Sequence, residues 1–372
     1  MGAKAEKAPV YGACLAIVLP VLALTALGLV ILTSAGAGGD DPYGIVRKQA
    51  MWLAIAIVAG AFAAVVDLRF LKKISAPFAA VSLVMLCLVF LFPEVNGSHR
   101  WINLKFLAIQ PSDIAKFSFV ILLSSYLYDN QRRIKSFIHG LIKPLGIVAL
   151  FCAPIILEPD YGTTAVVGVI GFALIFLAGA KIRYMLALGS PALAAFCALV
   201  YFNPVRLKRV LSFLDIEGTK TEGSYQLYQG ILAFGSGNVW GAGMGQGRQQ
   251  LAFLPEAHTD FVFAIIGEEL GLVCTLAVAA AFLFILIAGV RSLRKASNLY
   301  EFSVGAGCLL MIVVQAASNM CVVTGLMPTK GISLPFISYG GSNLVMMFVF
   351  TGILVNCIRS WNAPKNIKVG EI

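Results

Sequence analysis

This sequence has few charged residues. Asp, Glu, Lys and Arg make up 12% of its 372 residues, whereas soluble domains carry about 25%. Hydrophobic residues make up 59%, and the mean hydropathy is +0.88. The shortage of charge excludes a water-soluble multidomain enzyme. It also excludes intrinsic disorder, because so apolar a chain cannot stay solvated as an open coil. We expect a protein that folds in lipid.

Paired cysteine motifs are also missing. The eight cysteines follow neither a CxxC pattern nor a metal-like spacing, and each lies in an apolar stretch. We interpret them as packing residues, so the sequence gives almost no support to a disulfide framework or a zinc site. They are Cys14, Cys87, Cys152, Cys197, Cys274, Cys308, Cys321 and Cys357.

Long apolar runs are plentiful. Bounded by charge or by Gly and Pro, they predict ten membrane-spanning helices of about 20 residues each. The predicted class is an all-α polytopic membrane protein, with residues 1–372 as a single membrane domain. The first run is too long for a signal-peptide core and is interpreted as a retained span. The predicted spans cover residues 10–35, 49–66, 75–93, 112–128, 144–157, 161–179, 184–202, 261–290, 301–326 and 342–358.

The distribution of Lys and Arg predicts the orientation in the membrane. One set of alternating loops contains seventeen of these residues and the short loops of the other set contain five. Because basic residues resist translocation, both termini are predicted to be cytoplasmic. The net charge of +10 is then a sign of topology and of contact with anionic headgroups, and not of nucleic-acid binding.

The segment 203–260 is predicted to be a large extracytoplasmic loop, the part of the chain with room for non-helical structure. It concentrates glycine, aromatic and charged residues, and the stretch 230–247 contains seven glycines. Such a stretch could let the backbone approach a polar ligand, or it could simply be flexible. It follows no predicted strand, so it fits neither a Rossmann nor a P-loop context.

Ionisable residues in or beside a span are costly and mark candidate functional sites. Arg100, Asp113 and Lys116 surround the predicted outer entry to the fourth span. Asp113 and Lys116 are three residues apart and could neutralise each other on a helix. Alternatively, Arg100 and Lys116 could bind a ligand that carries phosphate, since Arg offers a bidentate fork and Lys a point charge.

Carboxylates mark two further places. Glu158 and Asp160 flank a proline at the tip of a predicted hairpin, where Asp160 could cap the next helix while Glu158 would stay unexplained. The adjacent Glu268 and Glu269 lie about two turns into the eighth span and should point in different directions. They are interpreted either as carboxylates satisfied by a neighbouring helix or as groups in proton or ion transport.

Two segments at the predicted outer surface combine several chemical groups. Residues 254–261 contain Glu256, His258, Thr259 and Asp260, and Asp260 is the best candidate for a general base. It also stands where a helix start would favour a carboxylate electrostatically. Residues 325–342 are rich in Gly and Pro and therefore irregular, which is tolerable at membrane depth only beside a cavity or packed in protein. The cation of this segment is Lys330.

The segments 157–164, 255–270 and 325–342 together resemble the SEDS family, the RodA, FtsW and SpoVE proteins of bacteria. The resemblance covers essentially the whole chain, with the motifs in the expected order. The sequences PEAHTDF at 255–261 and GEELG at 267–271 look like the division branch of the family; a RodA-like or SpoVE-like paralogue is the alternative. Two positions depart from the pattern: Asp113 stands where the family usually has Glu, and Asn343 where Ser is common.

The resemblance implies a peptidoglycan glycosyltransferase that polymerises lipid II at the outer face of the bacterial cytoplasmic membrane, and at the division septum in the FtsW-like case. It also implies a class B penicillin-binding protein as partner, with other divisome or elongasome proteins, and no nucleic acid. No organic cofactor is expected. A Mg²⁺ or Mn²⁺ ion bridging the lipid diphosphate is conceivable, with Glu158 or Asp160 as a ligand.

By similarity, Asp260 is the essential carboxylate, which would deprotonate the acceptor hydroxyl. The resemblance makes other residues candidates for binding the substrate and its diphosphate: Arg100, Lys116, Lys330, Lys48, Arg248, His258, Thr259, Ser338 and Tyr339. Supporting roles are expected for Glu256, Asp113, Glu158, Asp160, Glu268 and Glu269.

Two other functions remain open on the sequence. A lipid II flippase would use the same cationic cavity, but a transporter needs charge on both sides of the midplane. A noncatalytic scaffold would recruit the cross-linking enzyme and would leave Asp260 dispensable.

Overall fold

A computed structural model of the chain describes residues 8–36, 43–94, 98–104, 107–219, 224–247, 254 and 257–362. Within these ranges, each of the ten predicted spans corresponds to a helix, so the all-α polytopic class is confirmed. The α-helices are α1 (Ala8–Gly36), α2 (Gly44–Ala63), α3 (Leu68–Leu88), α4 (Pro111–Asp129), α5 (Lys143–Leu157), α6 (Tyr161–Leu177), α7 (Ile182–Tyr201), α8 (Pro204–Leu214), α9 (Tyr225–Gly237), α10 (Val262–Leu293), α11 (Leu299–Val323) and α12 (Gly341–Asn362).

Among the described residues, eight helical segments are long and apolar enough to cross a membrane. The shorter α6 is also apolar, and α4 has 19 residues that include Asp113 and Lys116. A π-helical turn at Ile138–Ile142 leads directly into α5, and together they form one span. The chain is therefore a multi-pass membrane protein.

The segment 203–260 was interpreted as the only part of the chain with room for non-helical structure, and the structure differs in that such backbone also occurs elsewhere. This segment contains the helices α8 and α9, of 11 and 13 residues. A search for apolar runs of about 20 residues passes over helices this short. Non-helical backbone also occurs earlier, where β1 (Ile102–Leu104) and β2 (Leu107–Ile109) form an antiparallel hairpin just before α4.

Three helices form the centre of the bundle. Fourteen of the 19 residues of α4 are buried, and α11 and α12 are the most buried of the candidate spans. The helix α7 is peripheral, and its apolar side chains Leu186 and Leu193 are exposed. An apolar helix surface without protein neighbours is typical of a helix that faces lipid. Polar residues of α4, α11 and α12 are therefore held away from lipid.

The helices α12 and α2 approach each other closely at glycine. A Cβ atom added to Gly352 would lie 2.2 Å from the carbonyl oxygen of Gly60. Small residues at such a crossing let two membrane helices pack backbone against backbone. At the start of α12 a Cβ atom added to Gly341 would lie 2.2 Å from the Trp52 ring of α2, so the two helices are in contact there as well.

Near Gly271, α10 is interrupted and exchanges backbone hydrogen bonds with the end of α9. Gly271 has φ +73° and ψ −173°, which breaks the helix, and Gly241 has φ +83°. In an uninterrupted helix each N–H donates to the carbonyl four residues earlier. Here the N–H groups that follow the break in α10 donate to carbonyls just after α9, and the N–H groups that follow Gly241 donate to carbonyls of α10. The four bonds run from Ala242 to Glu268 (2.8 Å), Gly243 to Glu269 (3.0 Å), Leu272 to Asn238 (3.0 Å) and Val273 to Val239 (3.3 Å).

This crossover, defined by residues 237–243 and 267–273, depends on glycine. A Cβ atom on Gly237 would lie 1.9 Å from the carbonyl oxygen of Gly267, and one on Gly241 would lie 2.1 Å from that of Glu269. Both segments have a glycine every fourth residue, so the two backbones meet at two levels. The exchange satisfies carbonyl and N–H groups that a broken membrane helix would otherwise leave unpaired.

Candidate active site

A polar cavity opens where α4 begins and where the irregular segment 324–340 joins α11 to α12. We refer to this side of the bundle as the cavity end. The polar residues around the cavity come from four helices and from that segment. They include Asp113, Lys116, Thr163, Gln315, Gly331 and Asn343.

Lys116 and Asp113 form a salt bridge of 2.8 Å between Nζ and Oδ1, and their side chains are 6% and 4% exposed. The predicted mutual neutralisation is therefore present, but the pair also lines the cavity. Lys116 Nζ donates to Gln315 Oε1 at 3.2 Å, and the hydroxyl of Ser342 donates to Asp113 Oδ2 at 2.7 Å. An ammonium has three N–H donors, so these described contacts leave one for a ligand.

Asp260 lies next to Gly331, one of the residues that line this cavity. Its side chain is half-buried in the turn before α10, and a Cβ atom added to Gly331 would lie 2.9 Å from its Oδ2. The backbone carbonyl of Asp260 accepts a hydrogen bond of 2.7 Å from Asn319. Because Gly331 lines the cavity, the fold brings the candidate base and the Lys116 cavity together.

His258 and Tyr339 connect the Asp260 turn to the segment before α12. The N–H of Tyr339 donates to the His258 carbonyl at 2.9 Å, and the two rings meet edge to face with centroids 6.0 Å apart. Partial burial raises the pKa of the Tyr339 phenol. Thr259 is half-buried in the same turn. The hydroxyl of Ser338 is buried and accepts from the N–H of Leu334 at 2.8 Å, so the structure gives it a contact within its own turn.

Lys330 and Asp160 are electrostatic neighbours at the cavity end. Burial lowers the pKa of the Lys330 ammonium, and the charge of Asp160 opposes that shift. Asp160 caps α6, as predicted, by accepting from the N–H of Thr163 at 3.1 Å and from its hydroxyl at 2.8 Å.

Arg100 contacts the hairpin between α5 and α6 through backbone carbonyls. Its guanidinium donates to the carbonyl of Pro159 at 2.6 Å and to that of Glu158 at 3.3 Å. The Glu158 carboxyl is fully buried, and neither oxygen has a hydrogen-bond partner among the described residues. Burial, with a smaller effect of Asp160, raises the pKa of Glu158 to about 8 against the attraction of Arg100.

This raised pKa predicts that the stability falls as the pH rises. The unfolded chain releases the Glu158 proton near the ordinary value of 4.5, whereas the folded chain keeps it until about 8. Between these values the folded state binds more protons, so the free energy of unfolding decreases by about 5 kcal/mol in total as the pH rises. Thermal unfolding in detergent from pH 5 to pH 9 measures the effect.

The matched variant is Glu158→Gln, which removes the titration and keeps the shape. Its melting temperature minus that of the natural chain should increase from pH 5 to pH 8 and then stay constant. A difference that does not change with pH would show that Glu158 keeps an ordinary pKa in the fold.

Asp160 and Glu158 are the candidate ligands for a metal ion. Asp160 uses both carboxylate oxygens on Thr163, and Glu158 is buried with its neutral form favoured. A hard divalent cation requires several charged or polar oxygens around it. Across the described ranges, no group of three or more His, Cys, Asp and Glu residues is placed to hold a metal.

Glu268 and Glu269 are both buried, so neither faces lipid. Glu269 accepts from the hydroxyl of Ser34 on α1 at 2.5 Å and from the N–H of Gly245 at 3.1 Å. A Cβ atom added to Gly247 would lie 3.0 Å from Glu268 Oε2. The glycine-rich stretch therefore lets the backbone approach these two carboxylates and the crossover. The sequence had suggested a polar ligand as the group that the backbone approaches. This arrangement is the predicted satisfaction of a carboxylate by a neighbouring helix.

Three candidates from the sequence remain. Arg248 and Glu256 lie outside the described residues. Lys48 is exposed on α2 beside the buried Gln49, whose amide nitrogen donates to the Ser338 carbonyl at 3.2 Å.

Sequence reasoning missed two carboxamides of α11, Gln315 and Asn319. Both are buried. Gln315 contacts Lys116 and Asn319 contacts the backbone of Asp260, the residues that define the two halves of the site. A signal was present, because polar side chains one turn apart within an apolar span are expected to face the bundle interior. Both side chains are uncharged, so an argument based on ionisable residues in the membrane does not select them.

The fold and the cavity define a class of protein: a polytopic membrane bundle with a polar cavity at one end, lined by a buried cation and by a glycine that a partly buried carboxylate approaches. A sequence model described as a cell cycle protein, for FtsW, RodA and SpoVE, matches residues 14–362. The chain belongs to this FtsW/RodA/SpoVE family, as the resemblance of its motifs predicted.

Relatives match over nearly the whole chain. A probable peptidoglycan glycosyltransferase FtsW of Geobacter sp. (strain M18) is 32% identical over 93% of this chain and 97% of its own length. Stage V sporulation protein E of Bacillus subtilis (strain 168) is 36% identical over 93% and 96%.

Solved structures share the fold. A chain from a peptidoglycan synthase complex that coordinates polymerization and crosslinking is 25% identical, with a TM-score of 0.77 over 93% of this chain and 97% of its own. The rod shape determining protein RodA of Thermus thermophilus is 24% identical, with a TM-score of 0.69 over 93% and 96%.

Proposed function

We propose that this protein is a peptidoglycan glycosyltransferase that joins lipid II units into glycan strands at the outer face of the cytoplasmic membrane. The observation that carries the proposal is the position of the Asp260 carboxylate against Gly331, which lines the same cavity as the buried Lys116. Relatives named as probable peptidoglycan glycosyltransferases and a structural neighbour from a peptidoglycan synthase complex support the proposal.

Asp260 is the general base of the proposed reaction. It removes the proton from the 4-hydroxyl of the acceptor N-acetylglucosamine, and that oxygen attacks the anomeric carbon of the donor N-acetylmuramic acid. The new glycosidic bond forms as the bond to undecaprenyl diphosphate breaks, so an alpha-linked donor gives a beta-linked product. A diphosphate leaves readily, and therefore the second catalytic carboxylate of glycoside hydrolases is unnecessary.

The departing diphosphate needs preorganised positive charge in a site shielded from water. Lys116 supplies it through the N–H that Asp113 and Gln315 leave available. Lys330 is the second cation, and the burial that lowers its pKa also makes an incoming phosphate favourable. Arg100 has a positioning role: its hydrogen bonds to the carbonyls of Glu158 and Pro159 hold the hairpin between α5 and α6 beside this site. Lys48 and Arg248 are further candidates, from the sequence, for cations that bind the diphosphate.

The remaining parts of the proposal concern topology and partners. The excess of Lys and Arg in alternate loops supports cytoplasmic termini, which places the cavity end outside. A class B penicillin-binding protein is the proposed partner, since a relative in fold belongs to a complex that polymerizes and crosslinks. The sequences PEAHTDF and GEELG support a role in septal synthesis, together with other divisome proteins.

The test is polymerisation of purified lipid II by the natural chain, reconstituted with a class B partner whose transpeptidase is blocked. We expect glycan strands that a muramidase degrades. Translocation of lipid II across sealed vesicles without any strands would replace the proposed enzyme by a flippase. A partner that localises correctly while the complex neither polymerises nor translocates would identify a scaffold.

A further inference from the structure

The helix α11 contains two buried carboxamides on one face. Gln315 is 3% exposed and Asn319 is 1% exposed, and their positions differ by four residues, which is about 6 Å along a helix. Each buried amide must find hydrogen-bond partners, because an unpaired polar group inside a membrane bundle is costly. Their partners belong to the two halves of the site.

Asn319 holds the turn that carries Asp260. Its amide nitrogen donates to the Asp260 carbonyl at 2.7 Å and to the Ile332 carbonyl at 2.6 Å. Asn319 Oδ1 is buried without a hydrogen-bond partner among the described residues, so the described contribution of this side chain is its two donors. One amide thus joins the backbone of Asp260 to the residue that follows Gly331.

Gln315 holds the cation. Its Oε1 accepts from Lys116 Nζ at 3.2 Å, while its nitrogen donates to the Ser333 carbonyl at 3.1 Å and to Asn343 Oδ1 at 3.0 Å. The two donor contacts fix the orientation of the amide, because a reversed amide would place its nitrogen against the Lys116 ammonium. Lys116 is therefore held in position relative to the same segment, 331–333, that lies against Asp260.

We propose that Gln315 and Asn319 are positioning residues that fix the distance between the Asp260 carboxylate and the Lys116 ammonium; this inference rests on the proposed function. The base must reach the acceptor hydroxyl while the cation meets the diphosphate on the other side of the same anomeric carbon. Both groups sit on flexible connections or long side chains, whereas α11 is a rigid helix. A displacement of about 1 Å in such an arrangement can reduce the rate about 100-fold.

Two isosteric variants test the proposal in the complete complex with its partner. Asn319→Asp replaces the two donor contacts by repulsion between oxygens and should lower turnover about tenfold or more, while the affinity for lipid II changes by less than about twofold. Gln315→Met frees Lys116 and should weaken lipid II binding as well as turnover. Turnover is measured per partner-bound complex, and lipid II binding is measured separately.

The matched control is Ser303→Ala, which removes another buried polar group of α11. The Ser303 hydroxyl has no described hydrogen-bond partner and belongs to neither half of the site, so turnover should be that of the natural chain. A purely structural role would lower the melting temperature and the yield of complex, with unchanged turnover for the molecules that fold.

The possible failures can be told apart. If the natural chain is active and both folded variants turn over lipid II at the same rate as it does, the positioning role is overturned and the proposed polymerase function is kept. Absence of strands from the natural chain would overturn the proposed function and the positioning role with it. A loss of turnover in Asn319→Asp at unchanged binding supports the inference.

Discussion

Asp260→Asn is expected to abolish glycan polymerisation while the protein stays folded and bound to its partner. The amide keeps the shape of the side chain but cannot accept the proton of the acceptor hydroxyl. General-base catalysis contributes about 100-fold to 10,000-fold to a rate, so strands should fall below detection in a standard assay. The fold should be largely kept, because two backbone carbonyls of this turn are anchored independently of the carboxylate, that of Asp260 by Asn319 and that of His258 by Tyr339.

The measurement compares strand formation from lipid II by the natural and variant complexes at equal concentration. The control variant is Asp129→Asn, which makes the same chemical change at the other end of α4, where the carboxylate is 53% exposed and pairs with Lys72. A surface pair contributes at most about 1 kcal/mol, so the control should polymerise normally. Strands surviving in Asp260→Asn would remove this residue as the base.

Gly331→Ala tests the position of the same carboxylate without changing it. The added methyl would lie 2.9 Å from Asp260 Oδ2, so the carboxylate must move aside. We expect a partial loss of turnover with little change in melting temperature, because the atom that yields is the end of a side chain. Full activity in this variant would show that the position of Asp260 relative to Gly331 does not matter for the reaction.

Gly237→Ala is expected to produce a large loss of stability. The added Cβ would overlap the carbonyl oxygen of Gly267 at 1.9 Å, and neither backbone can move without breaking the crossover. Overpacking of a tight contact costs about 1–3 kcal/mol, and separation of the two segments would also release their exchanged hydrogen bonds. The melting temperature in detergent should fall, and the yield of folded protein should fall with it.

The control lies two residues away in α9. A Cβ atom added to Gly235 has no neighbour within 4 Å, and alanine favours a helix over glycine by about 1 kcal/mol. Gly235→Ala should therefore melt at the natural temperature or slightly above it. If both alanine variants melt alike, the crossover is not a close contact. Gly271→Ala supplies an independent check, since φ +73° is costly for any residue with a Cβ.

Several local features of the site could be predicted from the sequence because they depend on neighbours along the chain. The cap formed by Asp160 on α6 and the pairing of Asp113 with Lys116 join residues three apart. Apolar runs identified the ten long helices for the same reason, since the cost of exposing polar groups to lipid applies to each segment separately. The short helices α8 and α9 escaped, because neither is long enough to carry that signal.

The glycine-rich stretch shows where local reasoning fails. Its composition indicated either a backbone that approaches a polar ligand or a flexible loop, and the described close contacts are with groups of the protein itself. The sequence could not show that the approaching groups are the carboxylate of Glu269 and the interrupted α10. Nor could it show that Gln315 and Asn319 reach the two halves of the site, since both read as polar exceptions in an apolar span.

The sequence by itself determined that this chain is a multi-pass membrane protein, which long helices it forms and which polar residues require a partner. The tertiary structure decided which of those residues meet. Lys116 and Gln315 are 199 positions apart and Asp113 and Ser342 are 229 apart, yet each pair is hydrogen-bonded. The physical reason is that hydropathy acts on each segment alone, whereas the cavity exists only where helix packing brings buried polar groups from distant segments within hydrogen-bonding distance.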